Sequence, residues 1–311
     1  MCCLFGILDY GNTLTQKQRT KTFSVLARAS EVRGTDTTGV AYNTAGRLVI
    51  YKRPLAAHKM KFRFPEDANI LMGHTRMTTQ GDEKFNYNNH PFFGKTNDTS
   101  FALAHNGIIS NDLDLQIQHG LPTTNIKTDS YTAVQMIEKA GALNVDNLIT
   151  VSESLKGTFN LSVLDQGNNM YLVKGNNPLC VYHFQKRNLY LYASTEEILK
   201  NAIFKLSISL GKFEKLHIEQ GDIIKIDSAG NRETVSFSTV NLYSTSRFDP
   251  YHWDRFFDNC NFPSTKADKS YTDTLKSMAP YFGYVAKDVD GRNSCRLGLP
   301  CQPRCQKSAE K

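Results

Sequence analysis

The chain opens on an apolar run, Cys3 to Leu8, whose length and continuity predict a short buried strand. Gly11-Asn12-Thr13 turns it into a helix over 15–32, where Phe23, Leu26, Ala27 and Ser30 recur at intervals of three and four and Lys17, Arg19 and Lys21 fall on the wet side. The polar stretch Arg33 to Gly39 enters a strand at Val40-Ala41-Tyr42, which pairs as a hairpin with Leu48 to Tyr51. Asn69 to Gly73 is another strand and runs into the polar loop His74 to Gly81, placed at a strand end, where sites are built. Phe101 to His105 predicts a strand closed by Asn106-Gly107. That dipeptide alone signals a turn; the functional alternative is that Gly brings a backbone N–H close to a reacting oxygen, beside the amide of Asn106.

Tyr131 to Ala140 and Val145 to Leu155 carry helical faces, with Thr128 or Asp129 as the N-cap of the first. Strands follow at 159–164, 170–173, 179–182, 189–193 and 222–226, interrupted by a short helix at 195–203. Two helices between two sets of strands favour stacked sheets with helices outside, an α+β class. Beyond Tyr243 prolines and scattered aromatics replace the periodic apolar runs, so the division expected is a domain at 2–243 and an appended region at 244–311 with little core of its own.

With 311 residues, 40% hydrophobic and 22% charged, the composition is that of a soluble globular protein. No apolar run approaches a membrane span and no secretory signal stands at the N-terminus, so the cytoplasm is expected and a membrane is not. The net charge of +7 is spread along the chain without a basic block, which speaks against nucleic acid. No phosphate-binding loop or dinucleotide fingerprint occurs, and no cofactor is expected. Cys260, Cys295, Cys301 and Cys305 suggest a zinc module only superficially, because five residues separate Cys295 from Cys301 and Cys260 has no close partner. No metal site is assigned.

Cys2 is the residue on which chemistry converges. Methionine is removed when the next side chain is small, and loss of Met1 would leave a thiol and a free amine on one residue. An α-amino group titrates at about 7.7–8.0 and can take a proton from a thiol that ordinarily titrates near 8.5.

Cys2-Cys3-Leu4-Phe5-Gly6, Arg33-Gly34-Thr35-Asp36-Thr37-Thr38-Gly39, Gly73-His74-Thr75-Arg76 with Thr79 and Gly81, Asn89-His90-Pro91, His105-Asn106-Gly107-Ile108-Ile109 and Thr128-Asp129-Ser130 occur in that order. Together they resemble the glutaminase domain of class II glutamine amidotransferases, such as that of glucosamine-6-phosphate synthase. The resemblance spans roughly 2–230 and implies the N-terminal-nucleophile hydrolase fold, a four-layer αββα sandwich of two antiparallel sheets. It implies that Cys2 attacks the side-chain amide of L-glutamine, that Asn106 and the N–H of Gly107 hold the oxyanion, and that Arg76 clamps the substrate carboxylate. Asp129 would pair with the substrate ammonium, Thr79 would add a hydrogen bond, and Arg33 with Asp36 would brace the nucleophile. Cys3, Met77 and Gln80 depart from the family pattern, which normally has glycine, an aromatic and histidine there.

Members of the family usually continue into a synthase domain that uses the ammonia, so a separate acceptor subunit is the expected partner. The alternatives are an amidase acting on another γ-glutamyl-type amide and a non-catalytic subunit that senses glutamine.

Overall fold

In β1 (Cys3–Asp9) alternate side chains enter different cores: Cys3, Phe5 and Ile7 join one apolar cluster, Leu4 and Leu8 another. A strand buried on both faces belongs in a sheet covered on both sides. The computed structural model describes residues 2–242 and puts β1 in the middle of such a sheet.

The chain continues through α1 (Gln16–Ala29), the hairpin β2 (Thr37–Thr44) and β3 (Arg47–Arg53), then β4 (Ile70–Arg76), β5 (Phe92–Lys95) and β6 (Ser100–Ile109). Helices α2 (Asp112–Gln118), α3 (Ser130–Ala140) and α4 (Val145–Ser154) follow. Next come β7 (Gly157–Asp165), β8 (Met170–Lys174), β9 (Cys180–Phe184), β10 (Leu189–Ala193) and α5 (Glu196–Phe204). The short β11 (Glu214–Lys215), then β12 (Asp222–Ile226) and β13 (Arg232–Ser236), complete the described elements.

These strands form two antiparallel sheets, one of seven strands in the order β11-β9-β10-β1-β4-β2-β3 and one of six in the order β13-β12-β8-β7-β6-β5. Three apolar clusters separate four layers. Phe23 and Leu26 of α1 and Leu199 of α5 pack on the outer face of the seven-stranded sheet, against Phe5 and Leu191. Leu4, Met72, Ala104, Leu172 and Tyr192 fill the space between the sheets. Val134, Ile137 and Leu148 of α3 and α4 cover the six-stranded sheet at Leu103 and Leu161. Each such aliphatic or aromatic side chain contributes roughly 1.5–3 kcal/mol through burial. The expected αββα sandwich is the architecture found.

Some local expectations change. Helix α1 stops at Ala29 and a 3-10 turn covers Ser30–Arg33; its start is fixed by Thr15, whose hydroxyl accepts from the Gln18 N–H while the Gln18 side chain caps Thr15 in return. Arg19 is not on the wet side but 1% exposed, paired with Asp9 at 3.2 Å and donating to the carbonyl of Leu14 at 2.7 Å. A buried cation is tolerated when its partners are fixed, and here Asp9 is itself fixed by the N–H groups of Thr13 and Leu14.

The polar segments flanking the site are also more regular than their composition suggests. Thr37–Gly39 and His74–Arg76 are strand, and β6 runs straight through Asn106-Gly107 to Ile109, so that dipeptide is not a turn. Among the described residues no helix is long and apolar enough to cross a membrane. The appended region at 244–311, with Cys260, Cys295, Cys301 and Cys305, lies outside the described residues.

Candidate active site

The register of the seven-stranded sheet assembles the first half of the site. Cys3 lies opposite Thr75 of β4, so Cys2 stands across from Arg76 at the head of the strand pair, and Thr37 of β2 faces Arg76 from the other side. Arg33 donates from Nε to the Cys2 carbonyl at 2.9 Å. Asp36 is tied in twice: its N–H donates to the Arg76 carbonyl at 3.1 Å, and its Oδ2 accepts from the Thr78 N–H at 2.7 Å. Gly34 is needed between them, because a Cβ there would sit 2.4 Å from the Arg76 carbonyl carbon.

The second half comes from the facing sheet. β5 pairs with β6 only as far as Leu103, leaving the stretch from Ala104 to Ile109 uncovered on that side. Gly107 sits there with φ +147°, and a Cβ would fall 1.9 Å from the Thr158 carbonyl oxygen. Asp129 occupies the N-cap position of α3 but makes no capping bond; its Oδ2 accepts from the Ile109 N–H at 2.6 Å and its Oδ1 from the Ser130 hydroxyl at 3.2 Å. The carboxylate is thereby held toward β6 instead of the helix.

Cys2, Arg76, Thr79, Gly107 and Asp129 line one narrow cleft, joined by Gln80, His90, His105, Thr128 and Ser130. Asn106 does not line it. Its side chain is fully buried beside β1, with Nδ2 donating to the Ser194 hydroxyl at 3.4 Å and Oδ1 without a partner among the described residues. Ser194 also accepts from the Leu4 N–H at 2.9 Å, so Asn106 and the nucleophile's strand share one anchor.

Charge in the cleft is balanced by the fold. Arg76 donates from Nη1 to Asn89 Oδ1 at 2.7 Å and from Nη2 to the carbonyls of Gly81, at 3.0 Å, and Gln80. Gln80 in turn accepts through Oε1 from the Asp129 N–H at 2.8 Å, so one loop bridges the site's fixed cation and anion. The half-buried Cys2 thiol points at the Met77 carbonyl, 3.5 Å away. Burial pushes its pKa up, Arg76 draws it down and Asp129 raises it.

His90 and His105 of the cleft wall form a buried cluster with His74 behind them, the His74 and His90 rings 4.3 Å apart between centroids. Burial holds all three below the ordinary histidine range, His74 at about 3. His105 Nδ1 lies 2.7 Å from the Ser130 hydroxyl and His74 Nε2 lies 3.0 Å from the His105 carbonyl.

Sequence reasoning missed the structural parts played by Gln80, Ser130, Ser194 and the histidines. It also missed Lys52, whose pKa burial, with a smaller contribution from Arg76, lowers to about 8, and whose Nζ donates to the carbonyls of Asn89 at 2.5 Å and Pro91 at 3.0 Å. Asn89-His90-Pro91, whose carbonyls accept from Lys52, was among the motifs, but nothing in the sequence marked Lys52 itself.

No family model matches the chain. Its sequence is similar to the glutamine–fructose-6-phosphate aminotransferase (isomerizing) of Staphylococcus epidermidis, 28% identical over 190 residues that make up 58% of this chain and 30% of that protein. The Aquifex aeolicus enzyme of the same name is 31% identical over 161 residues, 49% of this chain and 26% of that one. The 7-cyano-7-deazaguanine synthase of Saccharolobus solfataricus is 26% identical over 207 residues, 63% of this chain and 43% of that one. Each match thus spans less than half of the relative's length. In structure the chain is similar to the glutamine phosphoribosylpyrophosphate amidotransferase of B. subtilis, with a TM-score of 0.61 at 19% identity over 76% of this chain and 49% of that one.

Proposed function

We propose that this chain, whose described domain is of the class II glutamine amidotransferase type, releases ammonia from the side-chain amide of L-glutamine for a separate acceptor. The observation that carries this reading is the convergence of Cys2, Arg76, Gly107 and Asp129, from four distant segments, on one cleft.

An amino acid substrate is a zwitterion, and the cleft offers one fixed charge of each sign. Arg76 has the planar fork that suits a carboxylate; one arm of that fork holds the carbonyls of Gln80 and Gly81, which a substrate carboxylate would replace. Asp129, already oriented by the Ile109 N–H, would receive the substrate ammonium.

The thiol requires a base. Burial raises its pKa, so it is protonated at neutral pH, and the α-amine freed by removal of Met1 is the group on the same residue that can accept the proton. Sγ then bonds to the amide carbon, and negative charge passes to the oxygen, where the Gly107 N–H would stabilise it, joined by the Asn106 amide only if that side chain turns from Ser194 toward the cleft. Collapse breaks the C–N bond, the α-ammonium protonates the departing ammonia, and a thioester remains on Cys2. Attack of water on the thioester releases glutamate and restores the thiol. Arg33 would position the nucleophile through its bond to the Cys2 carbonyl, Asp36 would hold the Thr78 backbone, and Thr79 stands exposed at the cleft where it can reach substrate. The ammonia acceptor is proposed to be a separate protein.

Cys2→Ser and Cys2→Ala are expected to reduce ammonia release from glutamine to below a few per cent, while Cys3→Gly, on the far face of β1, keeps most of it. More than a few per cent remaining in Cys2→Ala contradicts the proposal.

A further inference from the structure

The outer face of α1 carries a cavity of about 590 Å³, within the roughly 300–1,000 Å³ of small-molecule sites. Lys17, Thr20, Lys21, Ser24, Val25 and Arg28 form one wall, spaced three or four residues apart along the helix over about 16 Å. Arg63 and Phe64 form the other. The walls are fixed to each other: Phe23 packs edge-on against both Phe62 and Phe64 at 5.0 Å, and Gln16 donates from Nε2 to the Phe64 carbonyl at 2.7 Å.

The charge of this cavity is one-sided. No carboxylate lines it, and helix α1 contains no acidic residue from Gln16 to Ala29. The side chains of Lys17, Lys21, Arg28 and Arg63 are exposed and make no hydrogen bond or ion pair with any described residue. Like charges four apart on a helix, as at Lys17 and Lys21, repel, and glutamates on that face would remove the repulsion. Cations gathered round a concavity whose wall also offers the hydroxyl of Thr20 suit an anion with charge at several points.

We propose that this cavity binds a small molecule carrying two or more phosphate groups. Its place on the outer side of the seven-stranded sheet, against α1, separates it from the Cys2 cleft, and the proposal stands independently of the glutaminase reading. Titration calorimetry of the full chain with inorganic tripolyphosphate is expected to give one saturable site, with inorganic phosphate binding at least tenfold more weakly. The triple variant Lys17→Gln, Lys21→Gln, Arg63→Gln should weaken tripolyphosphate binding at least tenfold with an unchanged melting temperature. Lys95→Gln with Lys156→Gln, on the other sheet's side, should leave binding intact. Absence of a saturable site, equal affinity for inorganic phosphate, or binding that the control pair lowers as much as the triple variant overturns the assignment.

Discussion

Gly107 is the residue with the least freedom in the cleft, since both its φ of +147° and the 1.9 Å approach to the Thr158 carbonyl exclude a side chain. Gly107→Ala is expected to destabilise the domain by about 1–3 kcal/mol and, by displacing the N–H, to slow ammonia release by about 10²–10³. Denaturant unfolding and an ammonia assay on the same preparation check both, and an alanine variant as stable and active as the parent contradicts the geometry. Arg76→Lys keeps the charge and loses the fork, so it should raise KM for glutamine far more than it lowers kcat. A collapsed kcat at unchanged KM would make Arg76 a part of the scaffold. Cys2 and the Asn106-Gly107 pair carried chemistry of their own in the sequence, whereas Arg76 and Asp129 were named as site residues only through the resemblance of the ordered motifs to a family. Their contacts were not legible. Asp129 reads as a helix cap from its neighbours, yet its carboxylate is spent on Ile109 of a strand 20 residues earlier, a pairing that depends on tertiary packing.

At the scale of elements, β4, β6 and the turn before β5 bring three histidines together in the interior, and their folded pKa values all lie below the unfolded value of about 6.5. Below that pH the unfolded chain takes up protons that the folded one refuses, so stability is full above about pH 6.5 and falls as pH drops toward the folded values. Each histidine contributes a slope of up to about 1.4 kcal/mol per pH unit. Denaturant midpoints between pH 7 and 5 should therefore fall steeply, and replacing His90 by phenylalanine should remove about one proton from that dependence. A flat profile would mean that the cluster is charged or accessible. Long periodic elements, such as α1, α3 and the central strands, were legible because burial imposes their spacing. The four-residue β5 was missed because it is brief and follows Pro91, and α2 because Leu113 and Ile117 face solvent and only Leu115 is buried. Asn106-Gly107 reads as a turn because the same dipeptide serves turns; pairing with β7 on one side keeps it extended instead.

For the whole molecule, stacked sheets with helices outside were legible from the order of strands and helices, and the four-layer αββα sandwich was implied by the family resemblance; that β1 is covered on both faces is seen in the structure. The ammonia acceptor and the ligand of the outer cavity are not written in any periodicity, since recognition depends on surfaces assembled from separate segments. In the proposed reaction Cys2 carries both nucleophile and base. Intact-mass spectrometry of the protein after exposure to a glutamine-analogue electrophile tests it most directly, because it reads the N-terminus and the reactive thiol together. The predicted result is a species lacking Met1 with a single adduct on Cys2, suppressed by excess glutamine and absent when an uncleavable N-terminal extension converts the α-amine to an amide. Retention of Met1 with undiminished glutamine hydrolysis, or an adduct on Cys3 or Cys180 in place of Cys2, would contradict it.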